Sequence, residues 1–193
     1  MDQTDSLSAH RYRKVTCAIF GESCSGKSAL IHSLIHNQFQ SKYTPTLFEI
    51  YTTQEIVELS PSSSSSTGST DVDAVQIEIF DFGGSEEHES MRKLVYGTVD
   101  VIVVTFDVSL GDKSLKRAKK NWVRRIRKHN TTSPLILCGC KTDQGIRISP
   151  ISDRRKKRMG CDELVVCSAK TRNGVPDVSK CIARCGVSQM SQL

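Results

Sequence analysis

The sequence predicts an α/β domain built on a mostly parallel, six-stranded sheet with helices on both faces. Two observations lead to this prediction: apolar runs typical of buried strands alternate with segments of helical periodicity, and a glycine-rich turn joins the first such run to the first helix. The length of 193 residues suits one domain. No run approaches the roughly 18 apolar residues of a membrane-spanning helix, and the residues after Met1 have neither a signal-peptide core nor a myristoylation glycine. A cytoplasmic protein is therefore expected.

The elements follow one another in a regular order. Residues 1–13 are polar and aperiodic, which predicts a flexible leader before a domain at 14–186 and a short tail at 187–193. Strands are predicted where apolar residues cluster, at 15–20, 47–59, 75–80, 101–106, 135–138 and 164–167. Helices are predicted where apolar residues recur every three or four positions, at 27–37, 85–96, 113–130, 152–159 and 175–185. In the first helix these positions are Ala29, Leu30, Ile31, Leu34 and Ile35.

A serine-rich segment at 60–73 separates the second predicted strand from the third. Residues 62–66 are five consecutive serines, and so polar a stretch has nothing to pack against. We expect a disordered insert at the tip of a hairpin.

The turn between the first strand and the first helix carries the motif G-x-x-x-x-G-K-[ST]. It consists of Gly21, Glu22, Ser23, Cys24, Ser25, Gly26, Lys27 and Ser28. In such a loop backbone N–H groups converge on a polyphosphate, because glycine allows close approach and the helix adds its positive dipole end. Lys27 is expected to reach the terminal phosphates and Ser28 to ligate Mg²⁺. The motif therefore predicts a nucleoside triphosphate site with Mg²⁺ as cofactor.

Two later segments favour guanine over adenine. Cys140-Lys141-Thr142-Asp143 follows the fifth predicted strand, and Cys167-Ser168-Ala169-Lys170 ends the sixth. The Asp143 carboxylate can accept hydrogen bonds from the guanine N1–H and exocyclic amine, a pairing that adenine does not offer, while the Lys141 stem lies on the base. GTP and GDP are the expected ligands.

In this order the motifs resemble those of Ras-superfamily small GTPases, over about residues 14–184. The resemblance implies a P-loop NTPase G domain in which Phe39 flanks the guanine and Thr46 senses the γ-phosphate through Mg²⁺. It also implies that Asp81-Phe82-Gly83-Gly84 is the D-x-x-G motif, with Asp81 supporting Mg²⁺ and the Gly84 N–H at the γ-phosphate. The implied activity is a GTP-hydrolysing switch with protein effectors and exchange factors as partners.

Within the superfamily the chain is most similar to the Rho family. The similarity rests on residues 43–51, Trp122, and Cys167 to Thr171 followed by Gly174-Val175, although Trp122 by itself is interpreted as a core anchor. Only 24 residues separate Asp143 from Ser168, too few for the helical insert of most Rho proteins. The chain ends without a cysteine four from its end, so no prenyl anchor is expected.

Three departures from the family pattern affect the expected chemistry. Ser85 occupies the position of the glutamine that orients the attacking water, and Ser23 replaces a P-loop glycine. We therefore predict slow hydrolysis, with Lys27, Thr46, Gly84 and Ser85 as the catalytic set. Cys140 replaces an asparagine that hydrogen-bonds the base, a loss of about 1–2 kcal/mol, or about tenfold in affinity.

These departures leave two functions open. One is a switch that cycles between GTP and GDP, and the other is a hydrolysis-deficient, constitutively GTP-bound interaction module. An ATP-using P-loop kinase is disfavoured by Asp143 and by Ser168-Ala169-Lys170.

The net charge of +6 is a local feature of two segments. Residues 113–128 hold nine basic and no acidic residues, and residues 154–158 hold five more; without these fourteen charges the chain carries −8. The composition does not predict nucleic-acid binding. Three interpretations remain: a solvated helix face, a positive surface for anionic membranes, and a nuclear import signal in residues 154–158. A monomer is expected.

The eight cysteines form neither a C-x-x-C pair nor a set with metal-ligand spacing. We expect reduced thiols packed as small apolar groups, with Cys17, Cys138 and Cys167 in core strands. For Cys181 and Cys185, palmitoylation and a packed helical position both remain open.

Overall fold

Six strands form one sheet in the order β2-β3-β1-β4-β5-β6. The computed structural model describes residues 12–40, 48–58, 72–83, 89–150 and 152–191. The strands are β1 Tyr12–Gly21, β2 Phe48–Glu58, β3 Val72–Phe82, β4 Val101–Asp107, β5 Leu135–Cys140 and β6 Glu163–Val166. All neighbouring pairs are parallel except β2 and β3, which are antiparallel. The predicted mostly parallel six-stranded sheet is confirmed.

Helices cover both faces of this sheet, as predicted. They are α1 Lys27–His36, α2 Glu89–Tyr96, α3 Asp112–Ala118, α4 Arg124–His129, α5 Asp153–Met159 and α6 Val175–Met190. A π-helical turn, Lys119–Val123, joins α3 to α4, so the single helix predicted at 113–130 is one continuous helical segment with a widened turn in its middle. None of the helices within the described residues has the length and apolarity to cross a membrane.

Each face of the sheet has its own apolar core. Alternate residues of β1 point to opposite faces: Ile19 packs with α1 and α6 residues, whereas Phe20 packs with residues of α3 and α4. The helical periodicity predicted for residues 113–130 is confirmed, because Leu115, Ala118, Trp122 and Ile126, spaced three or four apart, are all buried. Trp122 is a core anchor, as expected.

Three predicted boundaries require correction. The leader was predicted to reach residue 13, but Tyr12 and Arg13 belong to β1 because they pair with Ala74 and Val75 of β3. The insert was predicted to reach residue 73, but Val72 and Asp73 pair with Glu58 and Val57 of β2. The tail was predicted from residue 187, but α6 continues to Met190 because Val187 is buried against the core. The rest of the serine-rich segment lies outside the described residues.

All eight cysteines are free thiols. Cys17 and Cys138 are buried on β1 and β5, and Cys167 is buried just after β6, which confirms their predicted place in the core. On α6, Cys181 is buried and Cys185 is partly buried.

Candidate nucleotide site

The predicted site residues gather at one edge of the sheet. β1 ends at Gly21, β3 at Phe82, β5 at Cys140 and β6 at Val166. Because the carboxyl ends of parallel strands share an edge, the loops that follow them meet there, which is where α/β folds bind ligands.

The glycine-rich turn has a backbone that only glycine fits. Gly21 has φ +151° and Gly26 has φ +107°, both in the range that side chains rarely adopt. A Cβ on Gly21 would lie 2.3 Å from Thr105 Oγ1, and one on Gly26 would lie 2.9 Å from Cys140 Cβ. The turn therefore wraps tightly between β4 and β5 before α1 begins.

Lys27 fills the inside of this turn. Its Nζ donates to the carbonyl oxygens of Gly21 at 2.9 Å and Glu22 at 2.8 Å. Only 7% of the residue is exposed, and this burial lowers the pKa of its ammonium group against the opposing effect of the nearby Asp81 carboxylate. A cation held by loop carbonyls is positioned to exchange those partners for phosphate oxygens.

The residues expected to hold Mg²⁺ lie side by side. Ser28 Oγ donates to Asp81 Oδ2 at 3.0 Å, and Asp81 is fully buried at the end of β3. A hydroxyl and a carboxylate are the hard oxygen ligands that Mg²⁺ prefers, and this ion is usually bound through one or two protein groups together with phosphates and waters. The donor set therefore fits Mg²⁺.

The two segments predicted to read the base, Cys140–Asp143 and Cys167–Lys170, contact each other through Asp143; they are called the base-reading segments below. Ser168 Oγ donates to Asp143 Oδ1 at 2.6 Å, and the Thr171 N–H donates to Ser168 Oγ at 3.1 Å. Ser168 is fully buried, whereas Asp143 is exposed. The carboxylate is therefore held in place while its outer side faces solvent, where a base can reach it.

Lys141 is held beside Asp143. It has φ +68°, and its Nζ lies 2.8 Å from Asp107 Oδ2. Burial alone would raise the pKa of the Asp107 carboxyl. The hydrogen bonds from Lys141 and Ser109 have the larger combined effect, so this pKa lies below its usual value. Asp107 is therefore a stable anion at the end of β4 that fixes the lysine stem.

Cys140 joins the base-reading loop to the glycine-rich turn by packing. It is 3% exposed, and its side chain occupies the space beside Gly26. Its thiol donates to the Cys138 carbonyl oxygen at 3.8 Å, which is a weak contact. The two loops thus meet through van der Waals contact at Cys140 and Gly26.

The other predicted site residues either are exposed or lie outside the described part of the chain. Thr46, Gly84 and Ser85 lie outside the described residues. Phe39 lies beyond the end of α1 and is 43% exposed. Ser23 and Cys24 are exposed at the tip of the glycine-rich turn.

A connection between this turn and α2 was missed by sequence reasoning. Glu22 Oε1 accepts from Asn121 Nδ2 at 2.8 Å and from the Trp122 indole N–H at 3.3 Å. The Arg92 guanidinium lies 5.3 Å from the centre of the Trp122 ring, and its Nη1 donates to the Gly83 carbonyl at 2.9 Å. The one sequence signal was Trp122, since a buried indole N–H usually needs an acceptor.

A group of cysteines was also missed. The sulfur atoms of Cys138, Cys140 and Cys167 all lie within 4.8 Å of one another. The spacing of the cysteines along the sequence did not predict this cluster, because Cys167 comes from a different segment of the chain than Cys138 and Cys140. The signal was the C-x-C spacing on β5, because residues i and i+2 of a strand share a face.

Known proteins are similar to this chain in sequence. A sequence model of the Ras family matches residues 16–185. The Rho-related GTP-binding protein RhoV of Rattus norvegicus and that of Homo sapiens are each 28% identical to this chain over 181 residues, a match that covers 85% of the chain and 70% of the relative. The chain belongs to the Ras family and is a divergent, Rho-like small GTPase.

Proposed function

We propose that this protein is a molecular switch that binds GTP and GDP. The observation that carries the proposal is the position of Asp143, whose carboxylate is held by Ser168 at 2.6 Å and faces solvent at the same sheet edge as the glycine-rich turn. A carboxylate presented this way pairs with the two donors of guanine. Lys141, fixed by Asp107, supplies the surface on which the base lies.

The phosphates are bound by the glycine-rich turn in this proposal. The backbone N–H groups from Gly21 to Ser28 and the start of α1 attract the anionic phosphates. Lys27 transfers its hydrogen bonds from the Gly21 and Glu22 carbonyls to phosphate oxygens. Ser28 and Asp81 would hold Mg²⁺, which would supply positive charge to neutralise the phosphates.

Switching follows from the presence or absence of the γ-phosphate. By their place in the family motifs, Thr46 and Gly84 are proposed to sense the γ-phosphate, so that its loss releases the switch. Effectors and exchange factors recognise these two loop states. On the basis of the similarity to Rho proteins, the proposal also includes a role in signalling to the actin cytoskeleton.

The second candidate is a constitutively GTP-bound interaction module. The observation that favours it is Ser85, whose side chain is too short to orient the attacking water as a glutamine does. Slow turnover is therefore part of both proposals, and they differ in whether GTP is hydrolysed during the protein's working life.

The nucleotide that co-purifies with the full chain tests the proposal and separates its two forms. Chromatography of the nucleotide released from denatured protein should identify a guanine nucleotide. Mostly GDP supports the cycling switch, and mostly GTP supports the interaction module. Adenine nucleotides, or no nucleotide together with no measurable GTP affinity, would refute both.

We also propose a partner surface formed by α3, α4 and α5. These helices lie in contact, because the Lys119 ammonium donates to the Arg158 carbonyl and Arg155 pairs with Asp112 at 2.8 Å. Their outer side chains are mostly Lys and Arg. In this proposal the protein is a cytoplasmic monomer that associates peripherally with anionic membranes through this surface.

A further inference from the structure

Three thiols meet in the core directly beneath the base-reading loops. Cys138 and Cys140 share one face of β5, and Cys167 follows the end of the neighbouring strand β6. Each of these residues is at most 3% exposed. Since all three sulfur atoms lie within 4.8 Å of one another, three potential ligands converge on one point that is shielded from water.

The spacing of these sulfur atoms suits a shared metal ion. Cys138 Sγ and Cys167 Sγ are 3.7 Å apart, whereas a disulfide holds two sulfur atoms at about 2.05 Å. Metal–thiolate bonds of about 2.3 Å place the sulfur atoms of a three-coordinate centre about 4.0 Å apart. An ion can therefore enter the cluster with only small movements of the side chains.

The ligand set favours a soft cation with low coordination number. Thiolates select soft ions such as Cu(I) and Zn²⁺, but structural Zn²⁺ takes four ligands. Within the part of the chain that the structure describes, this group of close ligand atoms contains only the three sulfurs. The three cysteines belong to a buried core cluster that also contains Ile136 and Val178, and an apolar core does not stabilise the water that would complete a zinc site. We propose that Cys138, Cys140 and Cys167 bind one Cu(I) ion through their sulfur atoms.

The charges around the cluster are consistent with a bound cation. Binding of Cu(I) releases to solvent one proton from each thiol that is still protonated. The excess negative charge of three thiolates around one Cu(I) is offset by Lys27 and Lys141, which both interact with Cys140.

The site can be tested by competition for Cu(I) under anaerobic, reducing conditions. The full chain is titrated into a complex of Cu(I) with a chromophoric chelator, and the luminescence of shielded Cu(I)–thiolate centres is recorded in parallel.

Two variants, Cys138→Ala and Cys167→Ser, each remove one ligand from the cluster. Cys17→Ala is the matched control because it removes an equally buried thiol of the same core that is not among the three. A Cys181→Ala and Cys185→Ala double variant removes the other neighbouring pair of thiols. Circular dichroism verifies the fold of each variant.

We expect one tight equivalent of Cu(I) in the wild type and in both control variants. Removing one ligand should weaken binding by about a hundredfold or more, since even the loss of a group that only supports a ligand typically costs 10- to 100-fold. Failure of the wild type to withdraw Cu(I) from the chelator would overturn the proposal, and this outcome does not depend on how any variant folds. So would equal binding by folded Cys167→Ser and Cys17→Ala, or displacement of Cu(I) by an equimolar amount of Zn²⁺.

Discussion

At the scale of single residues, the proposed base site depends on one carboxylate, Asp143, which is anchored by Ser168. In the wild type, Ser168 Oγ donates to the Asp143 carboxylate at 2.6 Å. Asp143→Asn keeps an oxygen that can accept this hydrogen bond, but it presents an amide NH₂ to the base in place of the second carboxylate oxygen. We expect GTP affinity to fall by about 3 kcal/mol, more than a hundredfold. Xanthosine triphosphate should then bind better than GTP, because xanthine has a carbonyl where guanine has an amine.

Competitive nucleotide binding to the purified variant measures this reversal. Asp177→Asn, at an exposed position in the first turn of α6, is the control and should leave the preference for GTP unchanged. If Asp143→Asn still prefers GTP, Asp143 does not read the base.

A second residue, Ser85, determines the expected rate of hydrolysis. Phosphoryl transfer is catalysed by positioning and charge, and a serine cannot hold the attacking water where a glutamine would. We expect intrinsic hydrolysis no faster than roughly 10⁻⁴ per second, the rate of a glutamine-bearing relative. Ser85→Gln should raise the rate in a single-turnover assay, whereas Ser85→Ala should not.

The rate stimulated by an activating protein should rise further when Ser23→Gly is added to Ser85→Gln. Turnover of the wild type within minutes would show that another group orients the water.

At the scale of elements, the connection from Glu22 through Trp122 to Arg92 links the glycine-rich turn to α2. In the wild type, Glu22 Oε1 accepts from the Asn121 amide at 2.8 Å and from the Trp122 indole N–H at 3.3 Å. Glu22→Ala leaves both donors without this acceptor. We expect the free energy of unfolding to fall by about 1–3 kcal/mol and bound nucleotide to dissociate faster. Glu22→Gln retains an acceptor oxygen and should lose less on both measures.

Chemical denaturation and the release of a fluorescent guanine nucleotide provide the two readouts. A fall in stability without faster release would mean that the connection serves folding alone. Equal behaviour of Glu22→Ala and Glu22→Gln would mean that the hydrogen bonds contribute nothing measurable.

The elements also show which parts of the structure were predictable from the sequence. The central strands were located well because buried parallel strands consist of continuous apolar runs, as in Val101 to Val104. The first residues of β1 and β3 were not predicted to be strand, because Tyr12 and Val72 belong to the sheet through pairing with residues far away in the chain. The phosphate and base motifs were found because each is local. The contacts of Glu22 and the three-cysteine cluster escaped prediction because they join residues that are far apart in the chain.

At the scale of the whole molecule, the uneven charge defines one face. α3, α4 and α5 pack on the face of the sheet opposite α1 and α6, since Leu115, Ile126 and Met159 belong to one core cluster and Ile182 to the other. This arrangement brings the basic segments 113–128 and 154–158 onto the same side of the protein. The chain without them is acidic, so the molecule has a strong charge asymmetry that can orient it at a negatively charged surface.

The last prediction follows from this asymmetry. Exposed Arg154 and Arg158 lie on α5 within the basic face, whereas exposed Lys180 and Arg184 lie on α6 on the opposite face. Each cation near an anionic bilayer contributes about 1 kcal/mol, so Arg154→Glu with Arg158→Glu should weaken binding to phosphatidylserine-containing vesicles by at least tenfold in a sedimentation assay.

The control is the same charge reversal at Lys180 and Arg184, which makes an equal change in net charge. This control should have a much smaller effect on vesicle binding, because those side chains face away from the membrane. Binding of the wild type should also weaken as salt rises, since exposed charges are screened beyond about 10 Å at 0.1 M. Equal losses in the two double variants would show that only net charge matters, and absence of vesicle binding at low salt would leave the basic face as a solvated helix surface.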